Sequence, residues 1–123
     1  MPRILVVEDD ARQRQLLSHM LEDRGYAVAA VGSAAAAIGA LQGSFDLLVT
    51  DVDIGSRLTG LDIVRLLRSV RPQLPVIILS ARDSIAYDGQ GIVHLRKPCT
   101  SGVILAAVQQ FAPLLASPAP LPL

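Results

Sequence analysis

Cysteine is nearly missing from this chain, with one in 123 residues. An internal disulfide is therefore excluded, and so is a zinc site built from cysteines. Aromatic side chains supply only 3% of the residues against 51% for hydrophobic ones as a whole, so aliphatic packing has to fill the core. Neither sign of charge is in excess, since eleven basic residues balance eleven acidic ones. That balance lacks the basic footprint of a nucleic-acid binder, and it gives no reason to expect an anionic membrane surface as partner. No apolar run approaches the roughly 18 residues that span a bilayer, and no signal-peptide pattern opens the chain. The expectation is a soluble, cytoplasmic single domain, long enough to bury a core.

What is present alternates between two periods. Ile4 to Val7 is a short β-branched run, and residues 10–24 then switch to helical spacing with Leu16, Leu17, Met20 and Leu21 on one face. Gly25 is a helix stop, and Ala27 to Val31 a second, weaker strand. Ser33 caps a helix with the stripe Ala34, Ala37, Ile38 and Leu41, and Phe45 to Thr50 is the third strand. Leu61 to Arg71 is helical with Ile63, Val64, Leu67 and Val70 inward, and Pro72 blocks its continuation. Val76 to Leu79 and Ile92 to Leu95 are the fourth and fifth strands. Thr100 or Ser101 caps a last helix carrying Ile104, Ala107, Val108 and Phe111. Strand–helix alternation over one short domain predicts an α/β fold with a doubly wound, five-stranded parallel sheet in the flavodoxin-like order 2-1-3-4-5. Unbroken apolar strands such as "VIIL" fit a sheet covered on both faces.

In such sheets ligands sit outside the carboxyl ends of the strands. Those ends carry Glu8-Asp9-Asp10 after the first strand, Asp51 and Asp53 after the third, Ser80-Ala81 after the fourth, and Lys97-Pro98 after the fifth. The predicted order brings carboxylates, a hydroxyl and a lysine into one crevice. Clustered carboxylates repel, and some hold their protons unless a cation sits among them. Mg²⁺ is the natural resident, bound by a few oxygens while keeping several waters. A divalent ion, a lysine and a hydroxyl suit a phosphoryl group, and an aspartate can itself be the nucleophile that receives it. Each residue also has a plainer reading. Asp51 could cap a turn, and Glu8-Asp9-Asp10 could cap and charge the first helix, which is all that is expected of Asp10. Lys97 could be a solvated charge and Ser80 a helix cap. Cys99 reads as a packing residue and His19 as an exposed one.

Four motifs in order, each at a strand end, carry a resemblance: the acidic pair Glu8-Asp9, Asp51, Ser80-Ala81, and "RKP" at 96–98. From "ILVVEDD" to the last helix, the chain resembles a response-regulator receiver domain. The resemblance implies that Asp51 is the phosphoacceptor, and that Glu8, Asp9, Asp51 and the backbone carbonyl of Asp53 hold Mg²⁺, directly or through water. It implies that Lys97 pairs with the phosphoryl oxygens, that Ser80 bonds the attached phosphoryl group and draws its loop inward, and that Lys97–Pro98 is cis. Such a domain catalyses only its own phosphorylation and dephosphorylation, so an enzyme acting on other substrates is not expected. Its implied partners are a sensor histidine kinase or histidine phosphotransfer protein and an unidentified downstream protein, with no nucleic acid or membrane. Residues 1–116 would form the receiver, acting alone by protein contact or in a phosphorelay. The Pro-rich residues 117–123 would be a disordered tail.

Three departures from the family pattern stand out. The loop "DVDIGSRLTG" has Gly55 where many receivers have a proline, and an extra residue. Asp53 adds a carboxylate beside the site. Residues 81–91 are near the minimum of about 10–12 for a crossover with its helix, so the fourth helix should be shortened or irregular. His94 stands where receivers usually carry Tyr or Phe, as either a half-exposed strand residue or a pH-sensitive switch. A degenerate interaction module that works without phosphorylation is the competing reading. A flavodoxin-like electron carrier is disfavoured because acidic residues after the first strand would repel a flavin phosphate. A haloacid-dehalogenase-like hydrolase matches "DVD" at 51–53, but the chain is too short for its remaining parts.

Overall fold

Residues 1–40, 43–52, 59–81 and 91–114 are described by a computed structural model. The strands are β1 (Arg3–Val7), β2 (Ala27–Val31), β3 (Leu47–Asp51), β4 (Val76–Ser80) and β5 (Ile92–Arg96). The helices are α1 (Ala11–Asp23), α2 (Ala34–Gly39), α3 (Gly60–Val70) and α4 (Ser101–Phe111). All strand pairs are parallel and their order is β2-β1-β3-β4-β5, the winding that the sequence predicts. The expected short fourth helix, the Asp53 carbonyl, Gly55, Leu41 and the 117–123 tail lie outside the described residues.

Alternate residues of each central strand feed two cores. Leu5, Val7, Leu48, Val76 and Ile78 pack on one face with Ala34 and Ala37 of α2 and Ile63, Val64 and Leu67 of α3. Ile4, Val6, Leu47, Val49, Ile77 and Leu79 pack on the other with Leu21 of α1 and Leu105 and Val108 of α4. Every residue of β3 and β4 is buried, which explains why these strands read as unbroken apolar runs.

The helix boundaries follow from capping chemistry. The side chains of Asp10, Ser33 and Thr100 accept from the backbone N–H groups of Gln13, Ala36 and Val103. Thr59 and Asp62 form a reciprocal capping box at the start of α3. Gly25, at φ +100°, ends α1 with a backbone that side-chain-bearing residues rarely adopt. Tyr26 is buried, and its hydroxyl donates to the Ala112 carbonyl at 2.8 Å, tying the start of β2 to the end of α4.

Three helix positions expected to face inward are exposed instead: Leu16 (65%), Val70 (65%) and Ile38 (40%). On α1 the contact stripe is Leu17, Met20 and Leu21, and Leu16 sits about 100° from Leu17 around the axis. Val70 occupies the last turn of α3, past the centre of the Gly60, Ile63, Val64 and Leu67 stripe. In α2, which has only six residues, Ala34 and Ala37 make the buried contact.

Candidate functional site

The site forms where β1, β3, β4 and β5 end together. Asp51 is the last residue of β3 and 8% exposed, while Glu8 follows β1 at 3%. Ser80 closes β4, is fully buried, and lies across from Arg96 in the β4–β5 register. Its carbonyl accepts from the Lys97 backbone N–H at 2.7 Å, fixing where the lysine leaves the sheet. The Lys97–Pro98 peptide bond is cis.

Lys97 Nζ donates to Asp51 Oδ2 at 2.6 Å and to Gln13 Oε1 at 3.2 Å, and lies 3.6 Å from Glu8 Oε2. Asp51 and Gln13 thus take two of the three N–H donors of the ammonium, and Glu8 is at ion-pair distance. Glu8, Asp9 and Asp51 each offer a carboxylate oxygen within 4.8 Å of the others. Burial and a hydrogen bond with Asp51 push the Glu8 carboxyl up to about 7, against the pull of Lys97. Burial also opposes the charge on Lys97. Its hydrogen bond to Asp51 and the fields of Asp51 and Glu8 outweigh that cost and hold its pKa above the ordinary lysine value. Cys99, half-buried beside the site, has a thiol raised by burial, which does not favour a nucleophile there.

The backbone around Asp51 is tightly seated. Thr50 Oγ1 donates to the Asp51 carbonyl at 2.9 Å, and the Gly60 N–H donates to the Val52 carbonyl at 2.8 Å. A side chain at Gly60 would collide with the Asp51 carbonyl, so α3 begins against the strand tip only because that residue is glycine. On the other side Asp10 serves as the α1 cap, and its N–H donates to Glu8 Oε1 at 3.3 Å. His94 lies on β5 opposite Ile78 and is half-buried. Its Nε2 is enclosed without a hydrogen-bond partner among the described residues. His19 is exposed on α1. An apolar groove of about 940 Å³ runs between α1 and α4, with Leu16, Leu17, Met20 and Ile104 along it and Glu8 and Lys97 at one end.

The arrangement thus joins three carboxylates able to hold a hard cation, a lysine in contact with the most central of them, and a buried hydroxyl on the neighbouring strand. The family model described as "Response regulator receiver domain" matches residues 4–109. This chain belongs to that family. Among curated receivers, it is 40% identical over 113 residues to the Response regulator MprA of Mycobacterium avium, covering 87% of this chain and 49% of the relative. It is 34% identical over 115 residues to the alginate biosynthesis transcriptional regulatory protein AlgB of Pseudomonas aeruginosa, covering 88% of this chain and 25% of that one. The chain therefore spans half or less of these relatives' lengths. Among solved receiver structures, it matches the chemotaxis protein CheY4 of Vibrio cholerae at a TM-score of 0.79 and 26% identity, covering 90% of this chain and 98% of that one. It matches a receiver protein of Sinorhizobium medicae at 0.80 and 28%, covering 89% and 93%.

Within this receiver, Glu8, Asp9, Asp51 and Lys97 are brought together, and Ser80 ends the adjacent strand. Sequence reasoning missed Gln13, Gly60 and Arg14, whose Nη1 donates to the Glu8 carbonyl. Gln13 lies three residues beyond the helix cap, a spacing that returns a side chain toward the capping loop. Glycine directly after a capping threonine was the available sign of a close backbone approach at residue 60.

Proposed function

We propose that Asp51 accepts a phosphoryl group from a phosphohistidine donor in a Mg²⁺-dependent reaction, and that the chain signals by protein–protein contact or within a phosphorelay. The contact that carries this reading is Lys97 Nζ at 2.6 Å from Asp51 Oδ2, made inside a cluster of three carboxylates. An Asp51 oxygen attacks phosphorus, the P–N bond breaks, and its electron pair stays with the imidazole nitrogen. Lys97 is within reach of the transferred oxygens once it turns from the carboxylate, and Ser80 sits on the adjacent strand end to bond them.

The donor set fits a divalent cation. Glu8, Asp9 and Asp51 are hard oxygen ligands close enough to share one ion, and the Glu8 carboxyl, raised first by burial and then by its neighbour Asp51, is one whose charged form a cation would stabilise. Mg²⁺ bound there would neutralise charge on the phosphoryl oxygens during transfer. The apolar groove opening onto Glu8 and Lys97 suits the partner, a sensor histidine kinase or histidine phosphotransfer protein, which has to bring its phosphohistidine to Asp51. We place this chemistry in the cytoplasm. No helix among the described residues is long and apolar enough to cross a membrane.

The test is intact mass after incubation with acetyl phosphate, with and without Mg²⁺. A phosphoryl adduct that needs Mg²⁺ and disappears in Asp51→Asn is the expected result. A folded, Mg²⁺-binding wild type that forms no adduct would reject it in favour of a phosphorylation-independent interaction module.

A further inference from the structure

The cluster's acidic loop is gripped from behind by a residue that has no part in the reaction proposed above. Arg14 Nη1, in the first turn of α1, donates to the Glu8 carbonyl at 2.9 Å and reaches the Asp9 carbonyl at 3.5 Å. The Glu8 N–H donates to the Val31 carbonyl at the end of β2, at 3.0 Å. Both backbone polar groups of Glu8 are thereby fixed, one by the sheet and one by the guanidinium. The residue after Val31 is Gly32. A methyl group there would overlap Arg14 Nη1 and would lie 3.7 Å from the Glu8 carbonyl oxygen. The described glycines with positive φ are Gly25 and Gly91, so Gly32 supplies room rather than an unusual backbone.

We propose that Arg14 is a positioning residue for the acidic cluster. Its guanidinium, seated in the space left by Gly32, clamps the Glu8 and Asp9 carbonyls so that both carboxylates face the cation together with Asp51. The proposal rests on the reading that these three residues hold a divalent ion. Its electrostatics make it decidable. A fixed positive charge near a cation site opposes metal binding through its field, whereas a clamp on the ligands favours it. Removing Arg14 therefore has opposite consequences under the two roles.

The experiment follows Mg²⁺ titrations by backbone amide chemical shifts in the whole chain. Wild type, Arg14→Met, Gly32→Ala and the double variant are compared. Arg14→Met is expected to weaken Mg²⁺ binding about tenfold, the low end for residues that orient metal ligands, despite losing a repulsive charge. Gly32→Ala keeps the charge but displaces the guanidinium, and it is expected to weaken binding by several-fold to about tenfold. In the double variant the two losses should not add, because one clamp is being removed twice. Tighter Mg²⁺ binding in Arg14→Met, or additive losses in the double variant, would overturn the proposal. Hydrogen exchange at the residue 8–10 amides without metal is the second readout, and both single variants should accelerate it. If wild type binds no Mg²⁺, the metal reading fails on its own, and unchanged exchange would then overturn the clamp. If Arg14→Met does not fold, Gly32→Ala decides the question, since its overlap falls on a flexible arginine tip.

Discussion

Glu8 ties the chemistry of the site to the stability of the fold, through a pH dependence of unusual sign for a carboxylate. Burial and the hydrogen bond with Asp51 move its carboxyl from 4.5 to about 7. Between those values the folded protein keeps a proton there that the unfolded chain has released. Stability contributed by the protonated carboxyl is fully present below about 4.5 and is lost as pH rises through about 7. A shift of this size corresponds to about 3 kcal/mol at pH 8, and a Glu8 side chain only 4% exposed gives water little chance to screen it. Glu8→Gln keeps the shape and removes the charge. In metal-free buffer, urea unfolding should find the two proteins of similar stability at pH 4.5, with the variant ahead by about 2–3 kcal/mol at pH 8. Titrating groups outside the cluster cancel in this difference, whereas Asp51 and Lys97 are coupled to Glu8 and their response is part of what it reads. Mg²⁺ should reverse the order by displacing the proton, stabilising wild type more at pH 8 than at pH 5. Parallel stability–pH profiles for the two proteins would refute the account of Glu8 as a crowded, desolvated carboxyl.

Three further perturbations test the framework that carries the site. Tyr26→Phe leaves the buried Ala112 carbonyl without its donor, and should lower stability by about 1–2 kcal/mol in urea unfolding while leaving Mg²⁺ affinity unchanged. Gly60→Ala forces a methyl group into the Asp51 carbonyl, so a stability loss of about 1–3 kcal/mol is expected, accompanied by altered amide shifts at Asp51 and Val52; a silent substitution would contradict the close approach. His94→Phe removes an enclosed nitrogen that lacks a partner among the described residues, and should raise stability by about 1 kcal/mol.

The strands were legible because β1, β3 and β4 are central and covered on both faces, which leaves an unbroken apolar signature in the sequence. That signature also explains why Asp51 stood out. A carboxylate closing a fully buried strand is costly unless something at the tip uses it. The helices were legible in extent but less so in aim. Periodicity identified a stripe containing Leu16, Ile38 and Val70, yet the actual contact is narrower and centred elsewhere, which depends on how each helix leans on the sheet. Asp10 carries both outcomes in one residue. Its capping role was readable from its place before a helical run, but its consequence was not: starting α1 there brings Gln13 to Lys97 and Arg14 to the Glu8 carbonyl. Glu8, Asp9, Asp51 and Lys97 are recognisable from residue type and strand end alone. The residues that orient them, by contrast, are a glutamine, an arginine and two glycines, types too common on helix starts and loops to announce a role. What distinguishes them is reach across sequence, such as the 84 positions between Gln13 and Lys97, and only the folded chain supplies it. A substitution at Gly32 would look harmless from composition, periodicity or motif. The Arg14 contact makes it a test of whether this acidic loop is held or merely hung from β1.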